Sequence, residues 1–238
     1  GFMKNRFIGE CSRLVMDLIE QTENDKIPGI LLLLDFEKAF DSLEWTFIEK
    51  ILNFFGFGRS IIQWFNTFYN GVSSCIQNNG HCSVFFPIKR GVRQGDPLSP
   101  YLFILSVETL SAAIKADPSI KGITIDNTEH LLNQYADDTA LMLEDDDQSL
   151  NQALNLVDDF SAVSGLRANF EKTQAIWIGV KRGCGEVYKT DKNILWNSDG
   201  KFKLLGIKYN LSRNDHYQEN FVDKLEAFKK LLNDWSFR

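Results

Sequence analysis

Apolar residues recur at three- and four-residue spacing between positions 8 and 23, through Ile8, Cys11, Leu14, Val15, Leu18 and Ile19. That period predicts a helix with one buried face. Lys26-Ile27-Pro28-Gly29 ends it, and the pattern then changes. Ile30-Leu31-Leu32-Leu33-Leu34-Asp35-Phe36 is a short apolar run with one acid near its far end. Bounded by Pro-Gly, it reads as a strand buried on both faces. Leucine favours helix, so length and boundaries carry this assignment rather than propensity. Asp41-Ser42-Leu43-Glu44 fits a capping box, with Asp41 as N-cap and Glu44 at N3. A helix follows with Leu43, Phe47, Ile51 and Phe54 on one face, ending at Gly56, and a second short helix runs from Ile61 to Gly71.

Residues 72–77 and 81–88 flank Asn78-Asn79-Gly80, a hairpin signal, because Asn-Gly accepts positive φ. The stretch 89–100 carries Lys89, Arg90, Gly91, Arg93 and Gly95 into a helix that reaches about Ala116, with Asp96 or Ser99 as N-cap and a proline just inside. Residues 120–125 and 130–143 read as strands, interrupted by Tyr135-Ala136-Asp137-Asp138. Residues 150–163 form an amphipathic helix stopped by Gly165, and 173–178 form a strand. The stretch 180–200 reads as a loop or irregular hairpin, and 201–209 as a strand. A last helix carries Phe221, Leu225, Phe228, Leu231, Leu232 and Trp235 on one face. Helices and strands mix without regular alternation, so the fold class is α+β.

Two positions stand out chemically. Asp137 and Asp138 are adjacent carboxylates in a predicted hairpin turn. Neighbouring carboxylates repel each other and lose solvation when held in a fold. A bound dication removes that penalty, and Mg²⁺ takes carboxylate and phosphate oxygens. The plain alternative is a solvated turn. Asp35 is the second position: an acid closing a buried strand needs a cation or several hydrogen bonds. Gly95 lets another molecule approach the backbone, and Gln94 offers a donor and an acceptor beside it. The alternative there is a loop that merely turns the chain.

Composition sets wider bounds. The 238 residues are 44% hydrophobic and 24% charged, an ordinary globular balance with an aromatic-rich core implied by 19 Phe. No apolar run approaches the roughly 18 residues of a membrane helix, so no membrane role is expected. The start, Gly1-Phe2-Met3-Lys4-Asn5-Arg6, is not a signal peptide and has no initial Met. The chain is expected to be a piece of something longer. The net charge of −6 argues by itself against nucleic acid. The distribution softens that: residues 1–150 hold 12 Lys/Arg against 21 Asp/Glu, and residues 151–238 hold 14 against 11. Cys11, Cys75, Cys82 and Cys184 show no paired spacing, so free thiols in a reducing compartment are expected rather than a zinc site.

Five blocks in order carry a resemblance: LLLLDFEKAFDSLEW at 31–45, GVRQGDPLSPYLF at 91–103, YADD at 135–138, SGLRANFEKT at 164–173 and FKLLGIKY at 202–209. Together they resemble the palm of reverse transcriptases, most closely the non-LTR (LINE-type) retrotransposon branch. The opening, GFMKNRFIGE, resembles the segment this branch carries before its first catalytic block. The resemblance implies a right-hand polymerase palm with an antiparallel sheet flanked by helices, partial fingers and the start of a thumb. Residues 1–29 would be a fingers remnant leading into the palm, 30–212 the palm with an interleaved fingers segment, and 213–238 a truncated thumb.

Its chemistry would be RNA-directed DNA polymerisation by two-metal phosphoryl transfer. Asp35, Asp137 and Asp138 would hold two Mg²⁺ about 3.5–4 Å apart, with Mn²⁺ as a substitute, and Phe36 would contribute its backbone. Phe40 would be the aromatic gate that clashes with a 2′-hydroxyl. Gln94 and Gly95 would hold the incoming nucleotide against the template. Arg93 would contact phosphate or pair with nearby acids, and Lys172 would serve as general acid for pyrophosphate. Tyr135 would pack under the primer terminus, and Leu204-Leu205-Gly206 would match the primer-grip hairpin.

The implied partners are an RNA template, a DNA primer, deoxynucleoside triphosphates and the rest of a retroelement polyprotein, including endonuclease, fingers and thumb, outside this chain. The implied location is intracellular, in nucleus and cytoplasm. Missing basic fingers and thumb would leave this piece binding primer–template weakly, because backbone neutralisation carries much of the affinity. Two alternatives stay open: a non-catalytic relic or co-opted domain binding RNA or protein, and a group II intron or retron-type enzyme.

Overall fold

The 8–23 periodicity becomes helix α1, Ile8–Asn24, with Val15, Leu18 and Ile19 buried. The computed structural model describes residue 3, residues 5–211 and residues 218–236. The leucine run becomes β1, Gly29–Leu34, with all six residues buried. Three helices follow: α2 (Ala39–Ser42), α3 (Trp45–Phe54) and α4 (Arg59–Tyr69). The Asn-Gly signal yields four two-residue strands, β2 (Ser73–Ser74), β3 (Gln77–Asn78), β4 (His81–Cys82) and β5 (Phe86–Pro87), with β3 paired to β4 and β2 to β5. Asn79 and Gly80 both take positive φ, as a type I′ turn requires.

Helix α5 (Ser99–Ala116) leads to β6 (Ile123–Ile125), β7 (Thr128–His130), β8 (Leu132–Tyr135) and β9 (Asp138–Glu144). Then come α6 (Asp147–Ser164), β10 (Gln174–Ile178), β11 (Leu195–Asn197), β12 (Lys201–Leu204), β13 (Ile207–Asn210) and α7 (Asp223–Ser236).

The main sheet runs β11-β10-β1-β9-β8 and is antiparallel except for the β10–β11 pair. β1 is central. Its even-numbered residues, Ile30, Leu32 and Leu34, enter a core with Leu141, Leu143 and helices α3 to α6. Its odd-numbered Leu31 and Leu33 enter a second core with α1, Ala140, Met142, Phe202, Leu204 and Tyr209. The period-2 geometry of a strand buried on both faces explains the unbroken leucine run. Among the described residues, no helix is long and apolar enough to cross a membrane.

Several expectations need correction. Asp41 is not an N-cap. It lies inside α2, and Leu43 turns extended before α3 begins, with Glu44 at the cap position and no side-chain cap. The Glu44 amide donates instead to the Ser164 carbonyl at 2.9 Å, so a tertiary bond displaces the capping box. Neither Asp96 nor Ser99 caps α5. Asp96 accepts from the Leu98 amide at 2.9 Å, bracing the preceding turn, and Ser99 is buried within the helix. The apolar pattern alone predicts one strand over 201–209, whereas the chain turns back there as a hairpin, at the Leu204-Leu205-Gly206 position the resemblance implied, with Leu205 and Gly206 both at positive φ. The stretch 180–200 contains β11, which hydrophobic periodicity does not reveal in three residues. The last helix keeps its apolar stripe, but Phe221, Leu225, Phe228, Leu231, Leu232 and Trp235 are all exposed. The expected boundary at 212/213 falls outside the described residues.

Candidate active site

The β8–β9 hairpin carries the two adjacent acids. Tyr135 pairs with Asp138, leaving Ala136 and Asp137 in a two-residue turn with Ala136 at φ 57°. Ala140 and Met142 point into the α1-side core, so period 2 puts Asp138 on that same face. The last pair of the β1–β9 ladder is Leu34↔Thr139. Asp35 and Asp138 are therefore its next facing positions, and Asp35 shares the face of Leu31 and Leu33. Asp137 and Asp138 are exposed and Asp35 is half-buried.

Electrostatics agree with this placement. Although Asp138 is exposed as a residue, partial desolvation raises its carboxyl above the usual carboxylate range, and the negative charges of Asp137 and Asp35 raise it further. The Lys203 ammonium opposes the shift. No described residue donates a hydrogen bond to the carboxylate of Asp35, Asp137 or Asp138. Among the described residues, no three acidic, His or Cys side chains close into a preformed metal cage.

The backbone around Asp35 is held tightly. Its carbonyl accepts from the Asn169 amide at 2.7 Å, and the Glu37 amide donates to the Arg167 carbonyl at 2.9 Å. These two bonds flank the Phe36↔Ala168 bridge. In such a pair the bridging residues turn their own polar groups away from each other. The Phe36 carbonyl thus points to the side of β1 where the β8–β9 hairpin lies.

Phe40 is half-buried and stacks on Phe103, with centroids 4.6 Å apart and planes 12° apart. Its carbonyl accepts from Val92 at 2.7 Å. Gln94 and Gly95 are exposed in a turn closed by the Asp96 amide and the Arg93 carbonyl at 3.3 Å. Gly95 has φ 88°, which the third position of a type II turn requires, and nothing lies within 4 Å of where its Cβ would be. Arg93 is held by local contacts rather than by an acid. It donates to the Phe68 carbonyl at the end of α4, at 2.8 Å, and sits over the Tyr69 ring. A cation at a helix C-terminus is favourably placed, and the described residues give it no acid partner. Lys172 is exposed in the turn before β10 and makes no ion pair among the described residues. Tyr135 is half-buried and lines a cavity of about 280 Å³ with Cys11, Ser111 and Asn133.

Lys203 escaped the sequence reading. It faces Lys208 across the β12–β13 hairpin, and both are exposed. The signal was present in the alternation Lys201-Phe202-Lys203-Leu204, which puts both lysines on one face.

A family model described as reverse transcriptase (RNA-dependent DNA polymerase) matches residues 1–209. The transposon TX1 uncharacterized 149 kDa protein of Xenopus laevis is 25% identical over 224 residues, covering 93% of this chain and 17% of its own length. The Pol polyprotein from type-2 retrotransposable element R2DM of Drosophila melanogaster is 33% identical over 148 residues, covering 62% of this chain and 13% of its own length. The chain thus spans less than a fifth of either relative. A structure of apo telomerase from Candida Tropicalis, truncated from the C-terminal domain, matches with a TM-score of 0.55 at 17% identity, covering 84% of this chain and 38% of that one. At that identity the likeness is one of fold.

Proposed function

The chain belongs to the reverse transcriptase (RNA-dependent DNA polymerase) family, and from that premise we propose that it works as the RNA-directed DNA polymerase domain of a LINE-type element. It would add deoxynucleotides to a DNA primer 3′ end on an RNA template. The observation that carries this reading is the facing placement of Asp35 and Asp138 on one sheet face, with Asp137 in the turn beside them. Phosphoryl transfer needs positioning and charge neutralisation more than covalent chemistry.

Reverse transcriptases as a family use divalent metal ions. The donor set here suits them: hard oxygens, mutual repulsion that a cation relieves and, among the described residues, no donor already engaged by the three carboxylates. The carboxylates of Asp35, Asp137 and Asp138 and the Phe36 carbonyl would hold Mg²⁺, or Mn²⁺ in its place. When bound, the two ions lower the pKa of the primer hydroxyl and neutralise the phosphates. The chain's own residues do the rest. Phe40 closes the space beneath the sugar, Gln94 and Gly95 present polar backbone and amide to the nucleotide, and Lys172 offers a proton to departing pyrophosphate. Arg93 acts indirectly, by holding the nucleotide loop against α4. Residues 1–29, 30–212 and 213–238 are proposed as fingers remnant, palm and thumb start, within a longer retroelement polyprotein.

The test is dTTP incorporation on poly(rA)–oligo(dT) with Mg²⁺, using the longest natural chain that carries these residues. Asp137→Asn/Asp138→Asn should abolish it, and retained activity would refute the site.

A further inference from the structure

Phe40 owes its position to neighbouring backbone more than to its own helix. α2 is a single turn, yet four main-chain hydrogen bonds tie residues 37–44 to two distant segments. Val92 donates to Phe40 at 2.7 Å and Gly91 to Leu43 at 2.8 Å, from the loop that continues into Gln94 and Gly95. Glu44 donates to Ser164 and Glu37 to Arg167, both at 2.9 Å, at the end of α6.

A glycine stands at each junction. Gly91 has φ 87°, and a Cβ there would come within 2.7 Å of the Asp41 carbonyl oxygen and 2.9 Å of the Asp41 Cα. Gly165 has φ 79°, and its Cβ would come within 2.4 Å of the Ser42 carbonyl oxygen. Both approaches are to backbone, which cannot swing aside as a side chain does. They fall on consecutive residues, Asp41 and Ser42, immediately after Phe40. The Gly91 carbonyl is itself fixed by the Trp45 indole N–H at 2.8 Å.

We propose that Gly91 and Gly165 are positioning residues for sugar selection: by admitting the 41–42 backbone to close contact they set where the Phe40 ring stands. The inference rests on the reading of Phe40 as the sugar gate. It adds that selectivity is built from two glycines that never touch the nucleotide, and that α6 and the 89–95 loop share control of it. A side chain at either position would push the 41–42 peptides, and with them Phe40, off the Phe103 stack.

The test compares kcat/KM for dTTP and UTP on poly(rA)–oligo(dT), using the longest natural chain. Phe40→Val examines the underlying reading and should lower the dTTP preference. Gly91→Ala and Gly165→Ala should each lower it by about tenfold, the scale of a methylene-sized change in a pocket, while dTTP incorporation persists. Gly56→Ala is the control, since Gly56 also has positive φ but nothing lies within 4 Å of its Cβ position. It should lower the melting temperature without moving the preference. Trp45→Phe releases the Gly91 peptide without adding bulk, so it reports even if the alanine variants fail to fold, and it should lower the preference by a smaller factor.

If Phe40→Val relaxes selection while the folded glycine variants and Trp45→Phe match wild type, the inference falls and the gate reading stands. If Phe40→Val leaves selection unchanged, or the wild type incorporates no dTTP, the gate reading falls and takes the inference with it.

Discussion

Asp35 and Asp138 come from opposite halves of the chain, yet they occupy the next facing positions of the β1–β9 ladder, past Leu34↔Thr139. The Asp138 carboxyl is raised by partial desolvation and by the charges of Asp137 and Asp35. A carboxyl raised in the folded state holds its proton after the unfolded chain has released its own, so stability falls as pH rises from about 3.8 through the folded pKa. At neutral pH the full penalty is present. Asp138→Asn should therefore raise the melting temperature of the metal-free protein at pH 7. Mg²⁺ should raise it in the wild type and have little effect in Asp138→Asn. A thermal-shift titration with and without Mg²⁺ checks both, and equal Mg²⁺ responses would remove Asp138 from the metal site.

Leu32 is fully buried in the central strand. Leu32→Ala should cost about 2–5 kcal/mol, the usual range for a large core truncation. Urea unfolding followed by circular dichroism measures it. A loss well below 1 kcal/mol would mean that β1 is not the centre of the sheet.

A second charge cluster lies at the far end of β9. The Lys181 ammonium pairs with Asp145 at 2.7 Å, and the Tyr188 hydroxyl donates to Asp145 at 2.6 Å. The bond to Asp145 raises the Lys181 pKa, and burial followed by the same carboxylate raises that of Tyr188. Both groups keep their protons longer in the folded state, so their contribution is intact below about pH 10 and lost as pH rises through the folded values. The urea midpoint should hold steady up to about pH 10 and fall above it, and fall less steeply in Asp145→Asn. Parallel curves would show that the cluster does not couple to folding.

The Asn220 side chain acts as a one-residue strand against β13. It donates to the Lys208 carbonyl at 2.7 Å and accepts from the Lys208 amide at 2.9 Å. Asn220→Ala removes both bonds and should speed exchange of the Lys208 amide by about tenfold, the equivalent of about 1.4 kcal/mol. Hydrogen–deuterium exchange by NMR reads that amide directly, and unchanged exchange would mean that other contacts hold the hairpin.

Much of this was legible because the signals were local. The leucine run, the Asn-Gly turn, the α6 stop at Gly165 and the paired acids each announce themselves within a few residues. Asp41 misled because its capping pattern is genuine as sequence but loses to a bond from Glu44 to Ser164, 120 positions away. The bond from Arg93 to the Phe68 carbonyl, 25 positions back in the chain, likewise has no local signal. Lys203 and β11 were missed because their importance lies in what they face, and the 204–206 turn was legible from the resemblance but not from the apolar pattern, because Leu205 takes a conformation usually left to glycine or asparagine.

The central place of β1 also bears on how the chain is made. Its leucines leave the ribosome about 110 residues before β9 and about 145 before β10, the strands that cover its two edges. At about 5–20 residues per second the strand waits roughly 5–20 s without partners. A bare, flat, leucine-rich strand is a template for intermolecular pairing. Translation speed and holdase chaperones thus become determinants of how much of this protein reaches its native state.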